Sequence, residues 1–166
     1  MKTERAETVG AERRVSTRPD RAPAARPRAR VLPDTPPIPT WGQRLLPRTL
    51  RTTLAGLGLY TNPVPQPPSI HLQQALAVIH HYGWCKSLDF SPTGKVCIRG
   101  AQGLLEKAGH VTPQARDQAV QYMEQVLHAA GIRMQFFAWN DLPGTPQTAI
   151  TDLLTRASHR ARANGD

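Results

Sequence analysis

Apolar residues recur at helical spacing in four stretches beyond residue 68, and a polar, proline-rich stretch precedes them. From Ser69, the residues Leu72, Ala75, Leu76 and Ile79 fall on one helical face, with Ser69 as the capping hydroxyl and Gly83 as the stop. A second, shorter period places Ala101, Leu104 and Leu105 inward between about Ile98 and Lys107, with Gly109 beyond its end. Thr112-Pro113 is a strong helix start, a capping hydroxyl followed by proline at the first helical position. The helix it opens should be the longest, burying Ala115, Ala119, Tyr122, Met123, Val126, Leu127 and Ala130 before Gly131 closes it. Thr145-Pro146 repeats the start and leads to Ile150, Leu153, Leu154 and Ala157. Two extended pieces are expected between the helices. Ser91-Pro92-Thr93-Gly94 has type I turn chemistry and predicts short strands at residues 86–90 and 95–97. Ile132, Met134, Phe136 and Ala138 alternate with mostly polar residues, which predicts a strand ending at Trp139. The pattern therefore predicts a mainly α fold, a compact bundle of about four helices with a small β-hairpin, over residues 69–158. Residues 159–166 are polar and are expected to fray.

Upstream, residues 41–60 predict one short amphipathic helix. Leu46, Leu50, Leu54 and Leu57 share a stripe, while Arg44, Arg48 and Arg51 share another. A helix of about three turns is marginal alone, so its leucines need a partner surface. That surface is the chain's own helical domain, another protein or an anionic membrane, and the reading favours docking on protein. Residues 61–68 carry four prolines in six positions from Pro63 to Pro68 and form a semi-rigid linker. Residues 1–40 mix Arg, Pro and Ala with no apolar period and are expected to be a disordered basic arm.

Charge sharpens this division. Residues 1–68 hold 12 Lys/Arg against 5 Asp/Glu, and residues 69–166 hold 9 against 7, so +7 of the net +9 lies in the first part. The arm is suited to a non-specific contact with nucleic acid or another acidic surface. It has no interleaved aromatics to stack on bases. No apolar leader opens the sequence and no window nears the ~18 apolar residues of a membrane span, so a cytoplasmic setting with reduced thiols is expected.

Three motifs carry a resemblance. Gly83-Trp84-Cys85, then Gly94-Lys95-Val96-Cys97-Ile98-Arg99-Gly100-Ala101, then Trp139-Asn140-Asp141 with Pro143-Gly144-Thr145 resemble a family of small actinobacterial proteins of uncharacterised function, several carried on mobile elements or phages. The resemblance spans about Leu72 to Ala157 and leaves the basic arm out. Where that family carries a basic residue between Pro-Gly and the capping Ser/Thr, Gly144 here leads straight to Thr145. The resemblance implies a fold unit and a source, with no activity attached.

Candidate chemistry is sparse. Cys85 and Cys97 stand twelve positions apart and His80 and His81 are adjacent, so no ligand pair has zinc spacing. The turn at residues 91–94 would pair Leu88 with Cys97, which puts a Cys85–Cys97 disulfide three positions out of register. Cys97, ahead of a helix, is the better-placed thiol, and His110 and Asp141 are its candidate partners in a triad. Its apolar neighbours Val96 and Ile98 favour burial instead. Asn140 and Asp141 before Pro143-Gly144 have turn-holding chemistry, and with Trp84 and Trp139 they form the candidate binding group. The reading is a non-catalytic interaction module, without metal or cofactor, whose candidate contacts are Trp84, Trp139, Asn140, Asp141, Arg44, Arg48 and Arg51. The alternative is a small enzyme or ligand-binding domain using Cys97, His110 and Asp141.

Overall fold

The computed structural model describes residues 38–39 and 46–166. The basic arm, apart from Ile38 and Pro39, lies outside the described residues, and so do Trp41 and Arg44. Among the described residues there are six helices: α1 Arg48–Gly56, α2 Pro68–Tyr82, α3 Ile98–Ala108, α4 Pro113–Ala129, α5 Phe136–Asp141 and α6 Gln147–Ala163. The fold is mainly α, as the periodicity requires, but it is neither a four-helix bundle nor a bundle with a hairpin. Around the turn at residues 91–94 no strand forms, and only two isolated bridges join Val96 to Trp84 and to Phe90.

Helix α2 is the hub. It packs most extensively on α6 and then on α3 and α4. The expected stripe is too narrow for this position: His71, Gln74 and Val78 are as fully buried as Leu72, Ala75 and Ile79. A helix covered on several sides is buried nearly all round, so a one-face pattern understates it. Ser69 is not the cap. Pro67 holds that place and Pro68 is the first helical residue, while the buried hydroxyl of Ser158 on α6 donates to the Ser69 carbonyl at 2.9 Å. The core is completed by Ile98 and Leu105 from α3, Met123 from α4 and Ile150 and Leu154 from α6, all fully buried.

The expected strand before Trp139 is helix α5 instead. Its carbonyl ends are capped from outside: the Thr145 hydroxyl donates to Trp139 O at 2.8 Å, and the Lys86 ammonium donates to Leu142 O at 2.7 Å and Pro143 O at 3.0 Å. Such caps and a cation favour a helix C-terminus, and short-range alternation does not reveal them. With its hydroxyl engaged there, Thr145 leaves the cap of α6 to Pro146. Helix α6 also runs on where fraying is expected, to Ala163, because Ala161 is fully buried.

Helix α1 attaches through one residue of its arginine stripe, Arg51. Arg51 is only 6% exposed. Its Nη1 donates to Ala108 O at 2.6 Å and its Nη2 to Lys107 O, so the guanidinium fills the C-terminal end of α3, where carbonyls lack helical partners and the dipole favours a cation. The leucine stripe turns only partly out: Leu50 is 43% exposed and Leu57 67%, while Leu46 and Leu54 are half-buried.

Candidate functional site

The segment between α2 and α3 is fixed by backbone bonds to Val96. Val96 N–H donates to Gly83 O at 2.9 Å, and Cys85 N–H donates to Val96 O at 3.1 Å. The turn closes as its sequence predicts, with Gly94 N–H donating to Ser91 O at 2.9 Å. This loop is tied to α5 by a chain of side-chain bonds. Trp84 Nε1 donates to Asn140 Oδ1 at 2.9 Å, Asn140 Nδ2 donates to Asp141 Oδ1 at 2.7 Å, and Ser87 N–H donates to the same carboxylate oxygen at 2.8 Å. Asp141 thereby holds Ser87 at φ 66°, a left-handed conformation that only a few per cent of non-glycine residues adopt. The Lys86 ammonium lies 5.1 Å from the centre of the Trp84 ring, close enough for a cation–π contact. Trp84 and Trp139 are both half-buried against the core, so each is part wall and part packing.

Cys97 caps α3. Its sulfur accepts from Gly100 N–H at 3.3 Å, and its S–H points to Asp89 Oδ1 at 3.6 Å. The same carboxylate oxygen accepts from Arg99 Nε at 2.6 Å, and Arg99 stands 5.8 Å from the Phe137 ring centre. Burial pushes the Cys97 thiol up to about 11, and the Asp89 carboxylate adds to the shift against the opposing Gly100 N–H. The thiol is therefore neutral at pH 7, with its hydrogen and one lone pair both engaged. Both cysteines are free; Cys85 is half-buried rather than buried, and its S–H faces Leu88 O and Lys95 O. Under native conditions a thiol reagent should label Cys85 first and Cys97 slowly, with Cys97 becoming fast only in denaturant. Rapid native labelling of Cys97 below pH 8 would contradict this assignment.

Cys97, Asn140 and Asp141 line one cleft with Ser87, Leu88 and Phe137, but its volume is about 10 Å³, room for about one water molecule. His110 is not there. It follows the C-terminal cap of α3 while Cys97 precedes that helix, and an 11-residue helix is roughly 16 Å long. Cys97, His110 and Asp141 therefore do not form a triad. Arg48 and Arg51 are at the His110 end. Among the described residues no three His, Cys, Asp or Glu side chains gather as a metal site. Asp89, Ser87 and Lys86 complete the Cys97–Asp141 region without any sequence motif that marks them, together with Gly100 from the Gly94–Ala101 motif. Only Gly100 left a signal, as a glycine in the first turn of a predicted helix.

Helices α2 to α5, most of α6 and the loop between α2 and α3 fall in one family match: residues 63–160 match a family of unknown function, DUF6197. The chain belongs to that family. The family region takes in α2 to α5 and nearly all of α6, with the whole Trp84–Asp141 chain, and leaves α1 outside it. No curated protein and no solved structure matches the chain. Among the described residues no helix is long and apolar enough to cross a membrane.

Proposed function

We propose that this member of the family is a non-catalytic interaction module, and that α1 with the residues just after it is the surface that holds an acidic protein partner. The observation that carries the reading is how α1 is attached. A buried arginine anchors it, and Leu50, Leu57, Leu59 and Val64 stay 43%, 67%, 73% and 59% exposed within fifteen residues of chain. Several large exposed apolar side chains on so short a stretch of chain are what a protein-contact site presents. The charge supports an acidic partner, since residues 1–68 carry +7 of the net charge and steer acidic surfaces toward this end. The arm over residues 1–40 is the second contact in this reading, and a cytoplasmic setting is part of it. An actinobacterial source on mobile DNA, which the motif resemblance implies, fits the arginine-, alanine- and proline-rich composition. The neutral, fully engaged Cys97 thiol and its separation from His110 weigh against the enzyme alternative.

The test is the double substitution Leu57→Asp with Leu59→Asp in the full chain. Both sites are exposed, so the melting temperature should stay within the shift of a surface change, about 0.5 kcal/mol. The partner that co-purifies with the native protein should be lost, and its contact face should be acidic. Retention of that same partner by the folded double variant would reject the reading.

A further inference from the structure

We infer that the groove between α1 and the corner joining α3 to α4 receives an acidic, extended segment of the protein partner, an inference that rests on the interaction-module reading above. The groove encloses about 650 Å³, within the ~300–1,000 Å³ of ordinary ligand sites, and unlike the Cys97 cleft it has room for several side chains. Its walls include Arg48 and Arg51 from α1, Lys107 from the last turn of α3, and Thr112 and Pro113 at the start of α4. The charge of this lining is one-sided. Glu106 is its carboxylate, and Glu106 is already paired with Arg116 at 2.5 Å. Arg48 and Lys107 are exposed and make no ion pair among the described residues. Arg51 is more than nine-tenths buried in the wall, and its Nε has no hydrogen-bond partner among the described residues. Helix α4 opens there with no acidic residue in its first turn, so its positive end adds to the field and is not neutralised locally.

The choice of occupant follows from charge and shape. The upstream arm carries the same sign as the groove, and a second copy of a chain with 21 Lys/Arg against 12 Asp/Glu is a poor complement. Among the described residues no aromatic side chain lines the groove, so these walls offer nucleic-acid bases nothing to stack on. Proline rings, among them Pro47, Pro63 and Pro65, form flat apolar walls suited to the side chains of an extended peptide. The exposed Val64 adjoins Pro63 and Pro65 in the chain, which makes the groove continuous with the proposed apolar contact.

The full chain is titrated with a fluorescein-labelled peptide of Glu-Glu-Leu repeats and with its Gln-Gln-Leu counterpart. The acidic peptide should bind, and the neutral one should bind at least about tenfold more weakly. Lys107→Glu and Arg48→Glu should each weaken the acidic peptide by about tenfold with helicity and melting temperature kept, and Lys107→Ala should do so to a smaller extent. Equal affinity for the two peptides overturns the inference, as does unchanged affinity in the folded Lys107→Glu protein. Displacement by inorganic phosphate overturns it too, because the groove would then be a small-anion site. The two readings fail separately. If the leucine double variant loses the natural partner but Lys107→Glu keeps it at full affinity, the groove inference falls and the module reading stands. If the acidic peptide binds the groove but the leucine double variant keeps the natural partner, the module reading falls.

Discussion

Gly100→Ala should destabilise the protein by roughly 3 kcal/mol or more, although alanine is the better helix former by about 1 kcal/mol. A Cβ at Gly100 would stand 1.9 Å from Asp89 O, 2.7 Å from Asp89 C and 3.1 Å from Asp89 Cα. These are backbone atoms, and the same Asp89 carbonyl accepts the Cys97 N–H at 3.3 Å. The clash cannot be relieved by a rotamer change. Relief would require the loop to leave the α3 N-terminus, and with it the cover over Cys97. Gly103 is the internal control, three residues further along the same helix, with nothing within 4 Å of its Cβ position. Gly103→Ala should be neutral or stabilising by up to about 1 kcal/mol. Urea titration of the two variants reads both effects. If they unfold at the same midpoint, the close approach of Asp89 to α3 is not as described. Accelerated native labelling of Cys97 in the Gly100 variant alone would locate the damage at this loop.

Acid should unfold the protein early, and His71 should be the main reason above pH 4.5. His71 is fully buried in α2, and neither ring nitrogen has a hydrogen-bond partner. Burial lowers its pKa to about 3, and the positive charge of Arg116 on α4 pushes the same way. The neutral ring is the folded form. The stability it contributes is complete above the unfolded pKa of 6.5 and is lost as pH falls from there toward about 3. Between pH 6.5 and 4.5, before most carboxylates titrate, the loss should be about 2–3 kcal/mol at 1.36 kcal/mol per unit. His110 is also lowered, by burial and then by Arg51, and adds a loss of the same sign. His71→Leu keeps the volume and removes the titration. Denaturant midpoints measured across this window should fall steeply in the native protein and gently in the variant. Parallel curves would show that His71 gains a proton without cost.

Local chemistry made much of this fold legible. Thr112 caps α4 through Ala115 N–H at 3.2 Å, Gly83 and Gly109 stop α2 and α3 at positive φ, and the turn at residues 91–94 closes as its residues demand. The failures share a cause: the deciding partner is far away in sequence. Phe136 and its neighbours alternate like a strand, yet Lys86 and Thr145 cap them as a helix. Arg51 looks like one member of a solvent stripe, yet the carbonyls of Lys107 and Ala108 claim it. In the candidate site, Asn140 and Asp141 are legible as hydrogen-bonding residues beside Pro143-Gly144, but the groups they bond, the Trp84 indole and the Ser87 N–H, are more than fifty positions away. Cys97 is legible as an apolar-flanked thiol. Its partner Asp89 is not, because an aspartate in a polar loop carries no mark of the helix end it will face.

The position of α2 also has a consequence during synthesis. Its widest contact is with α6, and residues 83–146 separate the two helices. On the ribosome, α2 emerges with Leu72, Ala75, Val78 and Ile79 uncovered and waits for its main cover until α6 has been made. Contacts this distant in sequence form late and slow folding, and uncovered apolar surface in a nascent chain favours aggregation. The buried Ser158–Ser69 hydrogen bond is then a marker of completion: it forms only once the two helices have met.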